Sequence, residues 1–337
     1  FKQKTAYEIK ECDWSSDVCS SDLLAAGLAA SAPLVQAADA APPKLVQAPH
    51  YGDTLFLFFQ DKWFDAITGL MVSQHFARVA PHDDEAEVLR GGMLLSYGLH
   101  QEAGEVFARL IERNAAPSVR DRAWYFLAKL RYQRGLLAES EQALAKVEHP
   151  LKGELEDDRQ LLAAQLKMAR EDYTGAITVL QAIQTSPTAG LYARFNLGVA
   201  LVRTGDTARG SALLNELGQT RKLGSEELKV LRDRANVALG FAALNDKRPK
   251  EAHEALQRVR LQGPQSNKAL LGFGWAAAEQ KAPKEALVPW LELAGRDSSD
   301  AAVLEARLAV PYAYAEIGAL GRAMEGYNDA IALYEAE

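Results

Sequence analysis

The sequence predicts an all-α fold, an α-solenoid of about eight helix–turn–helix repeats. The first observation is a small residue followed four positions later by a large apolar one, a pair that recurs at steps of 34 to 42 residues. The second is another small residue twelve positions before seven of the eight pairs, and the third is a glycine five positions before half of the pairs. Self-similarity at fixed offsets indicates a repeat architecture.

The recurring pair marks the second helix of each repeat. Its small member lets a neighbouring helix approach closely, and its large member fills the space beside that contact one turn later. In chain order the pairs are Ala66 and Leu70, Ala103 and Phe107, Ser140 and Leu144, Ala176 and Leu180, Gly210 and Leu214, Ala252 and Leu256, Ala286 and Trp290, and Ala323 and Tyr327. Three positions after the large member, seven of the eight residues are apolar.

The other small residue marks the first helix of each repeat, and we call it the first-helix small residue. In chain order it is Thr54, Gly91, Ala128, Ala164, Gly198, Gly240, Gly274 and Pro311. A short turn between paired helices needs a positive φ, and the glycines that fit this position are Gly98, Gly135, Gly205 and Gly318. Pro249 and Pro283 suit the first turn of two second helices. The prolines that fall between repeats, where helices should stop, are Pro81, Pro117, Pro150 and Pro187.

The pattern resembles the tetratricopeptide repeat family over about residues 51–337, most clearly at Trp124–Gly135 and at Phe195–Asp206. The resemblance implies sixteen antiparallel helices in a right-handed superhelix with a concave groove. Two prolines depart from the pattern: Pro311 replaces a small residue and Pro289 lies inside a second helix, so both predict disturbed helix geometry. The 42-residue step near Gly218–Glu227 predicts a longer loop or extended helices.

The first 23 residues do not resemble protein. Residues 1–9 and 13–23 resemble the conceptual translation of the two primer parts of a short-read sequencing adapter, in the right order. We therefore predict that residues 1–23 are not native, the alternative being a genuine Ser/Asp-rich terminus. Cys12 and Cys19, the only two cysteines, lie in this stretch. The native protein would then have no cysteine, which excludes disulfides, thiol catalysis and cysteine metal sites.

Residues 24–40 predict a truncated signal peptide. An Ala/Leu-rich run, Leu24–Leu34, precedes small residues at Ala38 and Ala40, which form an A-x-A cleavage pattern. We predict cleavage after Ala40, a bacterial periplasmic location and a linker over residues 41–50; the alternative is an Ala-rich helix or linker. At the other end no polar capping helix follows the last repeat, so we predict that the native protein continues beyond Glu337.

Composition excludes several classes of function. The chain has 38 basic and 45 acidic residues and a net charge of −7, which argues against a nucleic-acid partner. No apolar stretch is long enough for a transmembrane span. Nothing predicts a catalytic, cofactor-binding or metal site: the sequence around His82 and the acidic run Glu154–Asp158 predict helix starts, and Gly272–Trp275 predicts helix packing.

The candidate binding residues come from helix geometry. In the family that the sequence resembles, the first helices line the concave surface. On each first helix, the residue directly after the first-helix small residue shares a face with the residues three or four positions away from it. The predicted groove residues are Tyr125, Lys129, Tyr132, Phe195, Asn196, Arg203, Arg234, Phe241, Asn245, Trp275 and Tyr312. Aromatic anchors with a few polar side chains suit a peptide or a partner helix. The alternative for each aromatic residue is packing between repeats.

The sequence therefore predicts a non-enzymatic periplasmic scaffold that binds a protein or peptide and helps to assemble an envelope complex. One alternative is the helical half of a longer envelope enzyme that processes peptidoglycan or polysaccharide. Another is an architectural spacer without a ligand. The partner and the oligomeric state stay open at this point.

Overall fold

The computed structural model describes residues 46–183, 187–221 and 223–336. Over these residues the chain forms sixteen α-helices and no strand. They are α1 (Pro49–Phe58), α2 (Trp63–His75), α3 (Asp83–Ser96), α4 (His100–Glu112), α5 (Pro117–Gln133), α6 (Leu137–Leu144), α7 (Glu154–Ala169), α8 (Tyr173–Ala182), α9 (Pro187–Arg203), α10 (Thr207–Gly218), α11 (Glu226–Asn245), α12 (Pro249–Leu256), α13 (Ser266–Glu279), α14 (Pro283–Ala294), α15 (Ala301–Glu316) and α16 (Leu320–Ala336). Odd-numbered helices are the first helices and even-numbered helices the second, which confirms the predicted α-solenoid architecture.

Several predictions concern the ends of the chain. The adapter-like segment, the signal peptide with its cleavage site and the first half of the linker lie outside the described residues. Helix α1 begins at Pro49, two residues before the predicted start of the solenoid. In the part of the chain that the structure describes, each helix is too short or too polar to cross a bilayer.

The chain divides into two compact units, residues 46–166 and residues 167–336, with the division inside α7. In the first unit consecutive helices from α1 to α6 pack against each other, around a core that includes Leu70, Phe107 and Tyr125. In the second unit α8 to α16 do the same. Its apolar residues form clusters around Leu256 and around Trp290. In the first unit α3 and α5 also pack against each other, and in the second unit the first helices α9, α11, α13 and α15 do so in sequence, so each unit presents a row of first helices.

Close contacts between paired helices explain the spacing of small and large residues. A Cβ atom on Gly91 would lie 2.5 Å from Phe107 Cε1, and one on Gly274 would lie 2.1 Å from Trp290 Nε1. Both distances are shorter than any real contact, so only glycine fits there. In the third repeat Ala128 takes this place, and the Ser140 hydroxyl donates a hydrogen bond of 2.7 Å to its carbonyl oxygen. The repeat predicted from the sequence is confirmed by these contacts.

The irregular repeats keep their helices. Helix α14 continues through Pro289 and α15 through Pro311, so the predicted disturbance does not end either helix. Pro311 is buried against α16, where a Cβ atom on Gly326 would lie 3.1 Å from Pro311 Cβ. A glycine on the facing helix thus makes room for the proline. The 42-residue step combines both predicted features, a loop between α10 and α11 and a 20-residue α11.

The turn between paired helices has a positive φ at the same position in all eight repeats. The four predicted glycines have φ between 73° and 91°. The other four repeats place a side chain there, at Asp61, Glu171, Lys247 and Lys281, with φ between 56° and 63°. The left-handed conformation costs such residues roughly 1–2 kcal/mol because Cβ crowds the following carbonyl oxygen. The turn geometry is therefore a property of the repeat, and glycine only makes it easier to adopt.

Lys281→Gly is expected to stabilise the protein, by about 0.5 kcal/mol, because relief of the left-handed strain exceeds the extra chain entropy of glycine. Lys281 is exposed, so few packing contacts change. Gly205→Ala is the matched opposite change, at φ 91°, and should destabilise the protein by about 1 kcal/mol. Urea denaturation followed by circular dichroism measures both. A lower urea midpoint for Lys281→Gly would contradict the strain argument.

A polar residue, buried in two cases and half-buried in the third, ties several first helices to the loop after their own second helix. It lies seven positions before the first-helix small residue. Asp121 Oδ2 lies 2.9 Å from His149 Nδ1, Asp233 Oδ2 accepts a 2.6 Å bond from Arg260 Nε, and Asn267 Oδ1 accepts a 2.8 Å bond from Arg296 Nη1. These bonds satisfy side chains that would be costly to bury alone. They fix the orientation of the first helices that carry the candidate site.

Candidate functional site

The side of each first helix that bears the predicted residues is defined by two positions seven residues apart. The first position lies six residues before the first-helix small residue, and the second position lies one residue after it. Two helical turns separate these positions, so they share a face. We call the surface formed by these positions and their neighbours the first-helix face. In the second to eighth repeats the earlier positions are Glu85, Arg122, Asp158, Tyr192, Arg234, Lys268 and Glu305, and the later ones are Gly92, Lys129, Gln165, Val199, Phe241, Trp275 and Tyr312. Each compact unit has its own part of this face.

In the unit of residues 46–166 the first-helix face is a ladder of charged side chains. The guanidinium of Arg122 on α5 donates to the carboxylate of Glu85 on α3. Lys129 on α5 interacts electrostatically with Asp158 of α7. Burial raises the pKa of the Asp158 carboxyl above its usual value, and the positive charge of Lys129 offsets part of this rise. The Arg122–Glu85 ion pair joins two neighbouring first helices, and the charged side chains leave a polar surface.

In the unit of residues 167–336, polar groups on the first-helix face are held against aromatic rings. Arg234 lies over the ring of Phe195, 5.2 Å from its centroid, which is a cation–π distance. Arg203 lies 5.5 Å from the ring centroid of Tyr173, and its Nε donates to the Tyr173 hydroxyl at 3.2 Å. The Tyr192 hydroxyl donates to the Glu227 carboxylate; burial and this hydrogen bond raise the pKa of Tyr192.

The most aromatic part of the first-helix face lies on α13 and α15. Trp275 Nε1 donates a 2.9 Å hydrogen bond to Glu305 Oε1 across the two helices. Its ring meets the buried Trp290 edge to face at 4.9 Å and lies 6.1 Å from the ring of Tyr312. Trp275 and Tyr312 are each half-buried, so both keep some area for a partner. Burial and the charges of Glu316 and Glu279 raise the pKa of Tyr312.

The structure separates the predicted groove residues into two sets. Five are buried, with between 1 % and 9 % of their surface exposed, and they are Tyr125, Tyr132, Phe195, Asn196 and Phe241. Neighbouring helices cover them, so the expectation that they line an open surface is corrected, and packing between repeats describes them. Lys129, Arg203, Arg234, Trp275 and Tyr312 are half-buried and Asn245 is exposed, so these six remain candidates.

Sequence reasoning missed the partners of the accessible residues. Glu305, which fixes Trp275, and Asp158, which faces Lys129, both lie six positions before a first-helix small residue. Extending the face by seven residues toward the start of each first helix would have found them, because that step keeps the same side of the helix. Glu227 and Tyr173 lie at other offsets, and no repeat spacing indicates them.

The described residues bring together no group of three or more histidine, cysteine, aspartate or glutamate side chains that could hold a metal ion. The predicted helix starts are confirmed: α3 begins at Asp83 and α7 at Glu154, each with acidic residues in the first turn. His82 lies directly before α3, where its Nε2 accepts a hydrogen bond from the backbone N–H of Gln47. Its ring stacks on Tyr51.

Comparison with known proteins shows the fold and no family. No protein-family model matches the chain, and no curated protein does. Among solved structures, the apo form of the quorum sensor NprR from B. thuringiensis has a TM-score of 0.55 at 9% identity, covering 85% of this chain and 98% of that one. A tetratricopeptide repeat protein from Parabacteroides merdae has a TM-score of 0.52 at 11% identity, covering 79% and 99%. These two likenesses show a tetratricopeptide-like helical repeat fold.

A third solved structure, a point mutant of MamA, matches at 20% identity. The match covers 52% of this chain and 94% of that one, with a TM-score of 0.38.

Proposed function

We propose that this chain is a non-enzymatic scaffold that binds a peptide or a helix of another protein on its first-helix face. The observation that carries the proposal is the accessible pair Trp275 and Tyr312, held by Glu305 and by the buried Trp290. Rigid aromatic side chains that keep exposed area are the usual anchors of protein interfaces. Because the structure fixes their rings before binding, a partner loses little side-chain entropy when it packs there.

The polar residues of the same face suit a role in positioning a partner. Arg203 and Arg234 each lie against an aromatic ring and keep part of their surface exposed. Arginine held in this way can donate to backbone carbonyls or carboxylates of a bound segment. Lys129 in the other unit offers a further donor. A face built from such groups favours binding over chemistry, since the groups pair with each other and form no nucleophile–base constellation.

We further propose that the scaffold works in a bacterial periplasm and assists the assembly of an envelope complex. The support is the sequence of residues 24–40, an apolar run followed by an A-x-A pattern. Detection of a mature N-terminus at Ala41 after secretion, by N-terminal sequencing, tests this part of the proposal. The same experiment needs the native start of the gene in place of residues 1–23.

The binding proposal is tested with a displayed library of random peptides, about 16 residues long, selected on the full chain. We expect enriched peptides whose affinity, measured by fluorescence anisotropy, falls at least about tenfold in Tyr312→Ala, the loss of one hot-spot aromatic contact. Tyr97→Ala is the matched control, because Tyr97 is an exposed tyrosine at the end of α3, away from this face. No enrichment above background, or equal losses in both variants, would refute the proposal.

A further inference from the structure

The part of the first-helix face on α13 and α15 combines aromatic rings with carboxylates. Trp275 and Tyr312 lie directly after the first-helix small residue of their helices. Glu279 and Glu316 follow them at a distance of about one helical turn, so each glutamate shares a side of its helix with the ring before it. Helices α13 and α15 pack against each other, and the two rings lie 6.1 Å apart. We call these four residues the aromatic–acidic patch.

Both carboxylates of the patch act on the same ring. Burial raises the pKa of the Tyr312 hydroxyl, and the negative charges of Glu316 and Glu279 raise it further. Glu279 belongs to α13, so its charge acts across the two helices on a side chain of α15. A cation beside Tyr312 would therefore interact with both carboxylates.

The two glutamates occupy positions that their own helices disfavour. Glu279 is the last residue of α13 and Glu316 the last residue of α15, at the negative end of each helix dipole. Both are exposed, and within the part of the chain that the structure describes neither carboxylate has a hydrogen bond or an ion pair. Lys268, a basic residue on the same side of α13, stands two turns before Trp275 and pairs with neither. The negative potential of the patch is therefore available to a partner.

The combination of ring and carboxylate is specific to the last two repeats. In the earlier repeats that the structure describes, the two equivalent positions are Leu55 and Phe59, Gly92 and Tyr97, Lys129 and Gln133, Gln165 and Ala169, Val199 and Arg203, and Phe241 and Asn245. None of these pairs contains a carboxylate, and Arg203 carries the charge that the end of a helix favours. Helix stability alone therefore does not explain an acidic residue at this position.

We propose that the aromatic–acidic patch holds a lysine or arginine side chain of the bound partner. An aromatic ring attracts a cation that lies within about 6 Å of its centroid. Glu279 and Glu316 supply the opposite charge, and such complementarity gives an interface its specificity. An apolar side chain would instead take water from two carboxylates without replacing it, which costs free energy. The inference rests on the proposed function and adds the charge of the segment that this face accepts.

Peptides selected on the full chain, as for the proposed function, test the inference. Those that lose affinity in Tyr312→Ala are synthesised with an acetylated N-terminus, so that only side chains carry positive charge. Each lysine or arginine is then replaced in turn by glutamine. Fluorescence anisotropy measures the affinity of every peptide for the parent protein and for the double variant Glu279→Gln/Glu316→Gln. The control is Glu285→Gln, which removes an exposed carboxylate from the second helix α14 of the same unit.

We expect each peptide to contain one basic residue whose replacement lowers its affinity for the parent protein about tenfold. The double variant should lose affinity for the unchanged peptide by a similar factor. The two changes together should cost little more than either alone, because both remove the same contact. Glu285→Gln should bind like the parent protein. The circular dichroism spectrum of the double variant should match that of the parent protein, since glutamine only removes charges that the helix dipoles disfavour.

The outcomes separate this inference from the proposed function. If Tyr312-dependent peptides bind the double variant as tightly as the parent protein, or keep their affinity after every basic residue is replaced, the patch does not hold a cation and the proposed function still stands. An equal loss in Glu285→Gln indicates a general effect of net charge and also overturns the inference. A selection that yields no Tyr312-dependent peptide refutes both.

Discussion

Gly274→Ala is expected to lower the free energy of unfolding by roughly 3 kcal/mol, the upper range for overpacking a rigid core. The added methyl group would lie 2.1 Å from Trp290 Nε1 and 2.4 Å from Cε2. The indole has little room to move, because its N–H donates a 3.1 Å bond to the Leu271 carbonyl and its ring meets Trp275 at 4.9 Å. Either α13 and α14 separate or the ring loses these contacts.

The control for this prediction is Gly190→Ala. Gly190 lies inside α9 of the same unit, and, apart from its own helix backbone, no heavy atom of the described residues lies within 4 Å of the position of an added Cβ. Alanine there should raise stability by about 0.5–1 kcal/mol, the difference in helix propensity. Urea unfolding followed by tryptophan fluorescence and circular dichroism measures both variants, and two probes are needed because repeat proteins often depart from two-state unfolding. Equal effects of the two substitutions would disprove the packing argument.

The sequence alone predicted the repeat well because its determinants are local and periodic. The small and large residues that face each other, such as Gly240 and Leu256, stand sixteen positions apart in every repeat. It did not predict that Lys247 adopts the same positive φ as the glycines, since the turn is fixed by the packing of the two helices. Nor did it predict that Gly326 compensates for Pro311, because that pairing is found in one repeat only.

The candidate site was predicted less well, and the reason is geometric. Helix periodicity places Tyr125 and Lys129 on one side of α5, yet Tyr125 is 1 % exposed and Lys129 half-buried. The depth of a residue depends on how closely the next first helix approaches, and spacing along one helix carries no such information. The same holds for Phe241 and Trp275, which occupy equivalent positions and differ in exposure. Contacts between repeats decide which residues of a face a partner can reach.

Tyr125→Ala is therefore expected to destabilise the protein by about 3–5 kcal/mol, as removal of a buried aromatic ring does. The ring packs against Phe126, with centroids 5.1 Å apart. Burial and the charge of Asp158 raise the pKa of the Tyr125 hydroxyl well above its usual value, so it stays protonated at neutral pH. The variant loses apolar burial and leaves a cavity in the unit of residues 46–166. Urea denaturation measures the loss.

Lys129→Ala, one turn further along the same helix, is the matched comparison. Lys129 is half-buried and its charge acts on Asp158, so its removal should cost less than about 1 kcal/mol. A peptide that binds this unit should lose affinity for Lys129→Ala while the unfolding curve stays close to that of the parent protein. If Tyr125→Ala instead kept its stability and lost peptide binding, the tyrosine would be a contact residue and the groove inferred from the sequence would hold. The structure requires the opposite, because a ring with 1 % of its surface exposed reaches a partner only after the first helices separate.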